Sequence, residues 1–282
     1  MQIHGKSEDG EAITLHRFHG GVQCDEAHED DVTRTMLVVD VETTGLDPLT
    51  DRMIEFAAAQ LRYTDDGRIV EHVKTVGWLE DPGIPIPKEI TEVTGITDAD
   101  VRGRSIPPAA AALFATADTI VSHHAAFDWA FCRRRWPDAV DGKLWACSLQ
   151  QLDWSRFPVA KQEILAYYHG FFYDAHRASI DVEALIKLLR MRDQNDRPYL
   201  ESLLVTALRP TYRIRAVGTP FAAKDDLKAR RYRWDGERRV WWTTVATEDL
   251  PAEQAWLDEL YRRYRCPGSP DIKQIDPHQR WA

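Results

Sequence analysis

The stretch VVDVETTGLDP, residues 38–48, places two carboxylates, Asp40 and Glu42, directly after a run of apolar β-forming residues. Side chains two apart on a strand point to one face, so a core strand is asked to carry two like charges side by side. Burying them uncompensated is unfavourable. Three arrangements compensate: a solvent-filled cleft, strong hydrogen bonds to both groups, or a bound cation. The following Thr43-Thr44-Gly45 is a tight, polar exit suited to a strand that ends at a cleft. Alone, the Asp-x-Glu triplet is a weak signal, and an ordinary exposed strand end accounts for it as well.

Around this pair the hydrophobic pattern is that of a layered α/β domain. Residues 35–41, 53–63 and a segment near 69–79 read as strands, joined by short polar turns such as Thr64-Asp65-Asp66-Gly67. Residues 81–106, rich in Pro, Gly and Thr, read as an extended connection. Residues 107–117 read as a helix with proline in its first turn. A short strand at 119–122 and helices over 125–136, 161–169 and 177–192 follow. Strands first, then helices mixed with further strands, imply a mixed sheet with helices packed on it.

Two later segments change the weight of Asp40 and Glu42. In TIVSHHAAFDWAF, residues 119–131, Asp128 sits among aromatics near a helix start, as a capping group or a ligand. In DAHRASIDVEALIKLL, residues 174–189, His176 precedes Asp181 by five positions. On one helix that spacing separates two side chains by ~140°. His176 is therefore better placed in the loop entering the helix, with Asp181 in its first turns.

Taken together, VVDVETTGL (38–46), HHAAFD (123–128) and HRASID (176–181), with PKEITEVTGIT (87–97) between them, resemble the DnaQ-like, DEDDh family of 3′→5′ exonucleases over roughly 35–192. The resemblance implies an RNase H-like fold: a mixed five-stranded sheet flanked by helices. It implies that Asp40, Glu42, Asp128 and Asp181 hold two divalent cations, Mg²⁺ or Mn²⁺, and that His176 is the general base. The chemistry is coherent. Hard oxygen donors suit these ions, two such ions stabilise the attacking and departing oxygens of a phosphodiester, and an imidazole accepts a proton from water near neutral pH. Four carboxylates without metal repel one another, so looser packing is expected in the metal-free state. By the same resemblance, Thr43, Thr44, Gly45 and Leu46 contact the terminal nucleotide, with Leu46 as an apolar wedge or, alternatively, a core contact. Glu55 orients a neighbour or touches a sugar hydroxyl. His124 stands where the family pattern has Asn, which puts one substrate contact in doubt. Neither His123 nor His124 suits a hard cation.

Charge is unevenly spread. The chain of 282 residues has a net charge of −9, but residues 1–208 carry 21 basic and 34 acidic residues, and residues 209–282 carry 15 and 11. Three parts are expected: an acidic N-terminal arm over 1–32, an exonuclease domain over 33–208, and a small basic α+β module over 209–282. In the module, a strand over 211–217, a helix over 223–230, a hairpin turning at Asp235-Gly236 and a closing helix over 251–265 precede a tail. Basic residues interleave with Tyr232, Trp234, Trp241 and Trp242. That mixture suits a single-strand binding surface, and Arg231, Arg233, Trp234, Arg239 and Trp241 are its candidate contacts. The competing reading is that a module this small needs its aromatic rings for a core.

The expected activity is therefore metal-dependent 3′→5′ exonuclease action on DNA, at single-stranded or frayed ends, releasing nucleoside 5′-monophosphates. An exoribonuclease acting on small or structured RNA, and a polymerase-associated proofreading subunit, are the alternatives. The partner is nucleic acid, DNA favoured over RNA; a homodimer or a polymerase association is left open. No membrane partner is expected, since no apolar run approaches the ~20 residues that span a bilayer and the N-terminus lacks a secretory pattern. Four scattered cysteines form neither a disulfide framework nor a zinc spacing, and a cytoplasmic location is expected.

Overall fold

The computed structural model describes residues 13–281. They separate into two compact units, one running to Ala207 and taking in Trp281, the other spanning Leu208–Arg280. Among the described residues no helix is long and apolar enough to cross a membrane.

The strands of the first unit are β1 (His16–Arg17), β2 (Thr33–Thr43), β3 (Met53–Thr64), β4 (Ile69–Leu79), β5 (Thr119–Ser122), β6 (Trp145–Cys147) and β7 (Phe171–Phe172). Five of them make a sheet in the order β4-β3-β2-β5-β6. The pairs β2–β3 and β3–β4 are antiparallel, and β5 and β6 run parallel to β2, so the sheet is mixed. Gly67, at φ +80°, closes the β3–β4 turn, and a side chain there would run into the Glu201 backbone.

Alternation decides what each face of β2 meets. Met36 and Val38 join Ala57 and Ala59 in packing against Val182, Leu185 and Leu189. Leu37, Val39 and Val41 pack on the other side with Phe114, Phe131 and Cys132. Each fully buried side chain of this kind contributes ~1.5–3 kcal/mol, enough in sum to hold a strand that ends in carboxylates. Asp40 and Glu42 continue the Met36–Val38 face, which puts them on the side covered by a helix over Ala178–Arg190.

The helices of this unit are α1 (Lys88–Thr94), α2 (Asp98–Val101), α3 (Ala112–Ala115), α4 (Ala125–Arg135), α5 (Pro137–Val140), α6 (Ser148–Gln151), α7 (Gln162–Tyr168), α8 (Ala178–Arg190) and α9 (Tyr199–Ala207). The structure departs from the sequence pattern in several places, among them α9 and β7, which carried no reading. The connection over 81–106 contains α1 and α2, the latter held by a capping box between Thr97 and Asp100. The expected helix over 107–117 is a 3₁₀ turn, Pro108–Ala111, running into the single turn of α3. Strand β6 is three residues long, too short for a period to register. Finally, from residue 13 on, the stretch expected as an N-terminal arm is tied down: β1 pairs with β7, Asp25 binds Arg190 at 2.6 Å, and Asp31 binds Arg68 at 2.5 Å. Its first 12 residues lie outside the described residues.

The second unit is a four-stranded antiparallel sheet, β8 (Thr211–Ala216), β9 (Arg233–Asp235), β10 (Val240–Ala246) and β11 (Asp271–Ile275), in the order β11-β8-β10-β9. Two helices, α10 (Lys224–Ala229) and α11 (Leu250–Tyr264), supply Leu227, Leu257 and Leu260 to a core with Ile214, Ala216, Tyr232 and Trp241. Strand β11 corrects the reading of the final residues as a tail. It is a polar edge strand whose pairing partner, β8, lies some 60 residues earlier.

Candidate active site

Strand β2 delivers Asp40 and Glu42 to the mouth of a cleft of about 500 Å³, and α8 delivers Asp181 to the same place from its first turns. Carboxylate oxygens of Asp40, Glu42 and Asp181 lie within 4.8 Å of one another. Asp128, buried on α4, lines the same cleft, and its Oδ1 accepts the Val41 N–H at 3.2 Å. It stands outside the group of three but locks α4 to the strand between Asp40 and Glu42.

The electrostatics follow from the crowding. Burial, then repulsion from Asp128, Asp181 and Glu42, raises Asp40 well above the ordinary carboxylate range. Burial, then Asp181, Glu55 and Asp128, pushes Glu42 up to about 8. Burial raises Asp128 to about 7. It raises Asp181 only to about 6, because the Tyr173 hydroxyl and the Arg177 amide donate to the carboxylate. An all-oxygen set that repels itself is what a hard divalent cation relieves, so the residues present fit the ions that the sequence motifs imply.

His176 lies on the loop entering α8 with φ +67°. A non-glycine residue in that region stores of order 1 kcal/mol or more of strain. Its half-exposed ring lines the cleft, with Nε2 3.4 Å from a Glu163 carboxylate oxygen. The start of α8 is fixed from below. Glu55, 4% exposed and directly across the strand pair from Glu42, accepts the Ala178 N–H at 3.0 Å and pairs with Arg177 at 3.3 Å. Of the two readings for Glu55, this geometry supplies the orienting one.

The Thr-Thr-Gly-Leu turn differs in part from expectation. The Thr43 hydroxyl donates to the Gly45 carbonyl at 2.5 Å and the Thr44 hydroxyl accepts the Arg52 N–H at 2.9 Å. Both hydroxyls are engaged in holding the turn, and both residues are buried. A Cβ on Gly45 would lie 2.5 Å from the Asp51 carboxylate, so a side chain there would have to displace the Asp51 group that accepts the Asp47 N–H. The outcome is that Leu46 is 83% exposed on the cleft rim, which rules out the core alternative. His123 is structural. Its ring bonds the Ser148 hydroxyl and the Ala160 carbonyl, each at 2.8 Å, and burial pushes it down to about 4. The His124 ring lies parallel to Phe127 at 6.1 Å.

Four participants were not legible in the sequence: Glu163, Gln162, Tyr173 and Arg177. Gln162 donates to the Tyr173 hydroxyl at 2.9 Å, which in turn donates to Asp181 at 3.0 Å. Glu163, Gln162 and Tyr173 reach the site through chain reversals that leave no spacing signal, while Arg177 sits beside His176 and its pairing with Glu55 of β3 is what the sequence does not show. In the second unit, Arg231, Arg233 and Arg239 are exposed and Trp234 is 51% exposed. Trp241 corrects the sequence reading: it is buried in the core beneath Trp234, with ring centroids 5.4 Å apart, so it offers no open face to a base.

Comparison with known proteins places these features. The profile of the RNase T exonuclease family matches residues 37–189, more than half of the chain. A PolC-type DNA polymerase III of Thermotoga petrophila is 36% identical over 125 residues, covering 43% of this chain and 8% of the relative. Its counterpart in Streptococcus pyogenes serotype M5 is 29% identical over 210 residues, covering 70% of this chain and 13% of the relative. The chain thus spans only a small part of these polymerases. Among solved structures, an exonuclease I structure aligns with 87% of this chain and 63% of its own, at a TM-score of 0.52 and 18% identity. E. coli exonuclease I in complex with a dA16 oligonucleotide aligns with 87% of this chain and 64% of its own, at a TM-score of 0.51 and 18% identity. At that identity the likeness speaks to the fold, which is RNase H-like. With a family match over most of the first unit, and with the motif carboxylates meeting at one cleft, the chain belongs to the RNase T exonuclease family as a DnaQ-like, DEDDh-type 3′→5′ exonuclease.

Proposed function

We propose that the chain removes nucleotides one at a time from the 3′ end of DNA, at single-stranded or frayed ends, releasing nucleoside 5′-monophosphates. The observation that carries this reading is the convergence of Asp40, Glu42 and Asp181 within 4.8 Å at a cleft that Asp128 and His176 also line. Two divalent cations, Mg²⁺ or Mn²⁺, held by the four carboxylates would supply the charge neutralisation that phosphodiester cleavage requires.

The protein's own groups do the rest. The imidazole of His176, half-exposed on its loop, takes the proton of the attacking water, and Glu163 stands where a carboxylate meets the resulting positive charge. Leu46 on the rim and Phe127 in the wall bracket the terminal base. Tyr173 and the Arg177 amide keep Asp181 aimed into the cleft. The basic second unit supplies electrostatic attraction for the strand, through Arg231, Arg233, Arg239 and Trp234. The free cysteines suit a reducing cytoplasm.

The test uses a 5′-labelled single-stranded 30-mer with the purified chain. With Mg²⁺ the label should pass through a ladder of successively shorter products, and EDTA should abolish it. Internal fragments without a ladder would overturn the exonuclease reading. A matched RNA degraded faster than the DNA would overturn the substrate. The PolC-type relatives favour a second reading, in which the same trimming proofreads for a polymerase; stimulation of a polymerase's mismatch removal by the added chain would support it.

A further inference from the structure

In the second unit, one face of the sheet is packed on its helices and the other carries cations. Residues directly opposite on neighbouring strands share a face. Arg233 pairs with Trp242, Trp242 with Arg215, and Arg215 with Asp271, so these four cross all four strands in one row. Two positions along, Arg213 and Lys273 stand opposite each other in the next row. The alternate residues Ile214, Ala216 and Trp241 point into the core. Arg233 and Lys273 are exposed, and Arg213, Arg215 and Trp242 are half-buried.

The arrangement is built, not incidental. The guanidinium carbons of Arg213 and Arg233 lie 5.3 and 5.9 Å from the centroid of the Trp242 ring, within cation–π range. Arg215 is satisfied by Asp271 at 2.8 Å. Among the described residues, no carboxylate lies within ion-pair distance of Arg213, Arg233 or Lys273. The Nε of Arg213 is buried without an acceptor. Burial, and then repulsion from Arg215 and Arg238, pushes Arg213 below the ordinary arginine range. Cations held together against their own repulsion are relieved by an anion. Four adjacent strands span ~14 Å at ~4.8 Å each, so an anion with repeated charges fits better than a single ion.

We propose that this sheet face binds the phosphodiester backbone of single-stranded nucleic acid, with Arg213, Arg233 and Lys273 as phosphate contacts and Trp242 as the platform that orients them. The inference deepens the nucleic-acid reading above and rests on it. A single strand is the occupant because aromatic rings set among cations serve strands whose bases are unstacked, and because Arg213, Arg233 and Lys273, which have no ion-pair partner among the described residues, stand on one continuous sheet face.

The test measures binding of fluorescein-labelled dT20 to the full chain in EDTA, by anisotropy, across a salt series. The pair Arg213→Gln/Arg233→Gln should weaken binding at least tenfold. It should also flatten the salt dependence by about 1.4, at ~0.7 per lost phosphate contact on a single strand. The pair Arg262→Gln/Arg263→Gln on α11 removes the same charge elsewhere and should change affinity less than twofold. Equal losses in both pairs, or none in the first, overturn the proposal. If the first pair melts early, Arg233→Gln/Lys273→Gln at exposed positions carries the same expectation. A labelled poly-glutamate peptide that binds as tightly as dT20 also overturns it, in favour of an acidic protein partner. Adding Mg²⁺ to the wild-type complex separates the two readings. Binding without trimming sinks the exonuclease assignment and leaves this face standing; trimming with an unaffected first pair does the reverse.

Discussion

The carboxylate of Glu55 on β3 accepts the backbone N–H of Ala178, the first residue of α8, at 3.0 Å. A buried acid thus pins the helix start that carries Asp181, beside the loop that carries His176. The link runs through the sheet and not through the cleft, so it sets geometry without touching a reacting atom.

Glu55→Ala should therefore cost about 2 kcal/mol of stability, from a buried amide left without its acceptor, and should lower kcat as the α8 start loosens. Glu55→Gln keeps an acceptor and should be milder on both counts. Urea unfolding and steady-state rates read the two effects; equal damage from both variants would show that charge, not the hydrogen bond, holds the helix.

Metal-free protein should lose stability as pH rises from about 4 to about 8. Glu42, Asp128 and Asp181 are raised in the fold to about 8, 7 and 6. In that window the folded state binds more protons than the unfolded one, so stability is greatest below the unfolded values and falls through the folded ones. Melting temperatures in EDTA between pH 5 and 8.5 should fall, and saturating Mn²⁺ should flatten the slope. A level profile in EDTA would mean that the carboxylates do not repel as the geometry implies.

Asp181→Asn should abolish tight Mn²⁺ binding by calorimetry and cut the rate roughly a hundredfold or more, the equivalent of ~3 kcal/mol at the transition state. Full activity in this variant would remove Asp181 from the site.

His176→Ala should separate from that pattern. Its rate should fall by roughly a hundredfold to ten-thousandfold, as for loss of a general base, while Mn²⁺ affinity stays near that of the unaltered chain. A parallel loss of metal binding would make His176 a structural residue of the carboxylate cluster.

Leu46→Ala should raise KM for single-stranded DNA severalfold while shifting stability by no more than ~0.5 kcal/mol, as for a surface position. The side chain is 83% exposed, so its removal leaves no cavity. A large loss of stability would contradict that exposure.

Much of the first unit was legible because its signals are local. A continuous run of apolar β-formers along β2 announced its burial, the two-residue spacing announced the shared face of Asp40 and Glu42, and the Asp128 and Asp181 segments carried their own helix patterns. The capping box of α2 went unread because Asp100 takes the place usually held by Glu or Gln. The three-residue β6 is below the length at which any period shows. The aromatic rings of the second unit look alike in sequence, yet Trp241 is core and Trp234 is half exposed: the two stand opposite each other on one face of the sheet, and only the tertiary structure makes β9 the edge strand, where that face is left open.

The amino-acid sequence by itself determined the long strands β2 and β3, the helices α4 and α8, and the carboxylates and histidine on or beside them, because period and turn chemistry act over a few residues. Only the tertiary structure decided which of them meet. Asp181 joins Asp40 because α8 crosses the face of β2 that alternation left apolar. Glu163 reaches His176, and Arg213 shares Trp242 with Arg233, for the same reason. Burial of distant apolar surface sets these encounters, and that surface is complementary only once the chain is folded.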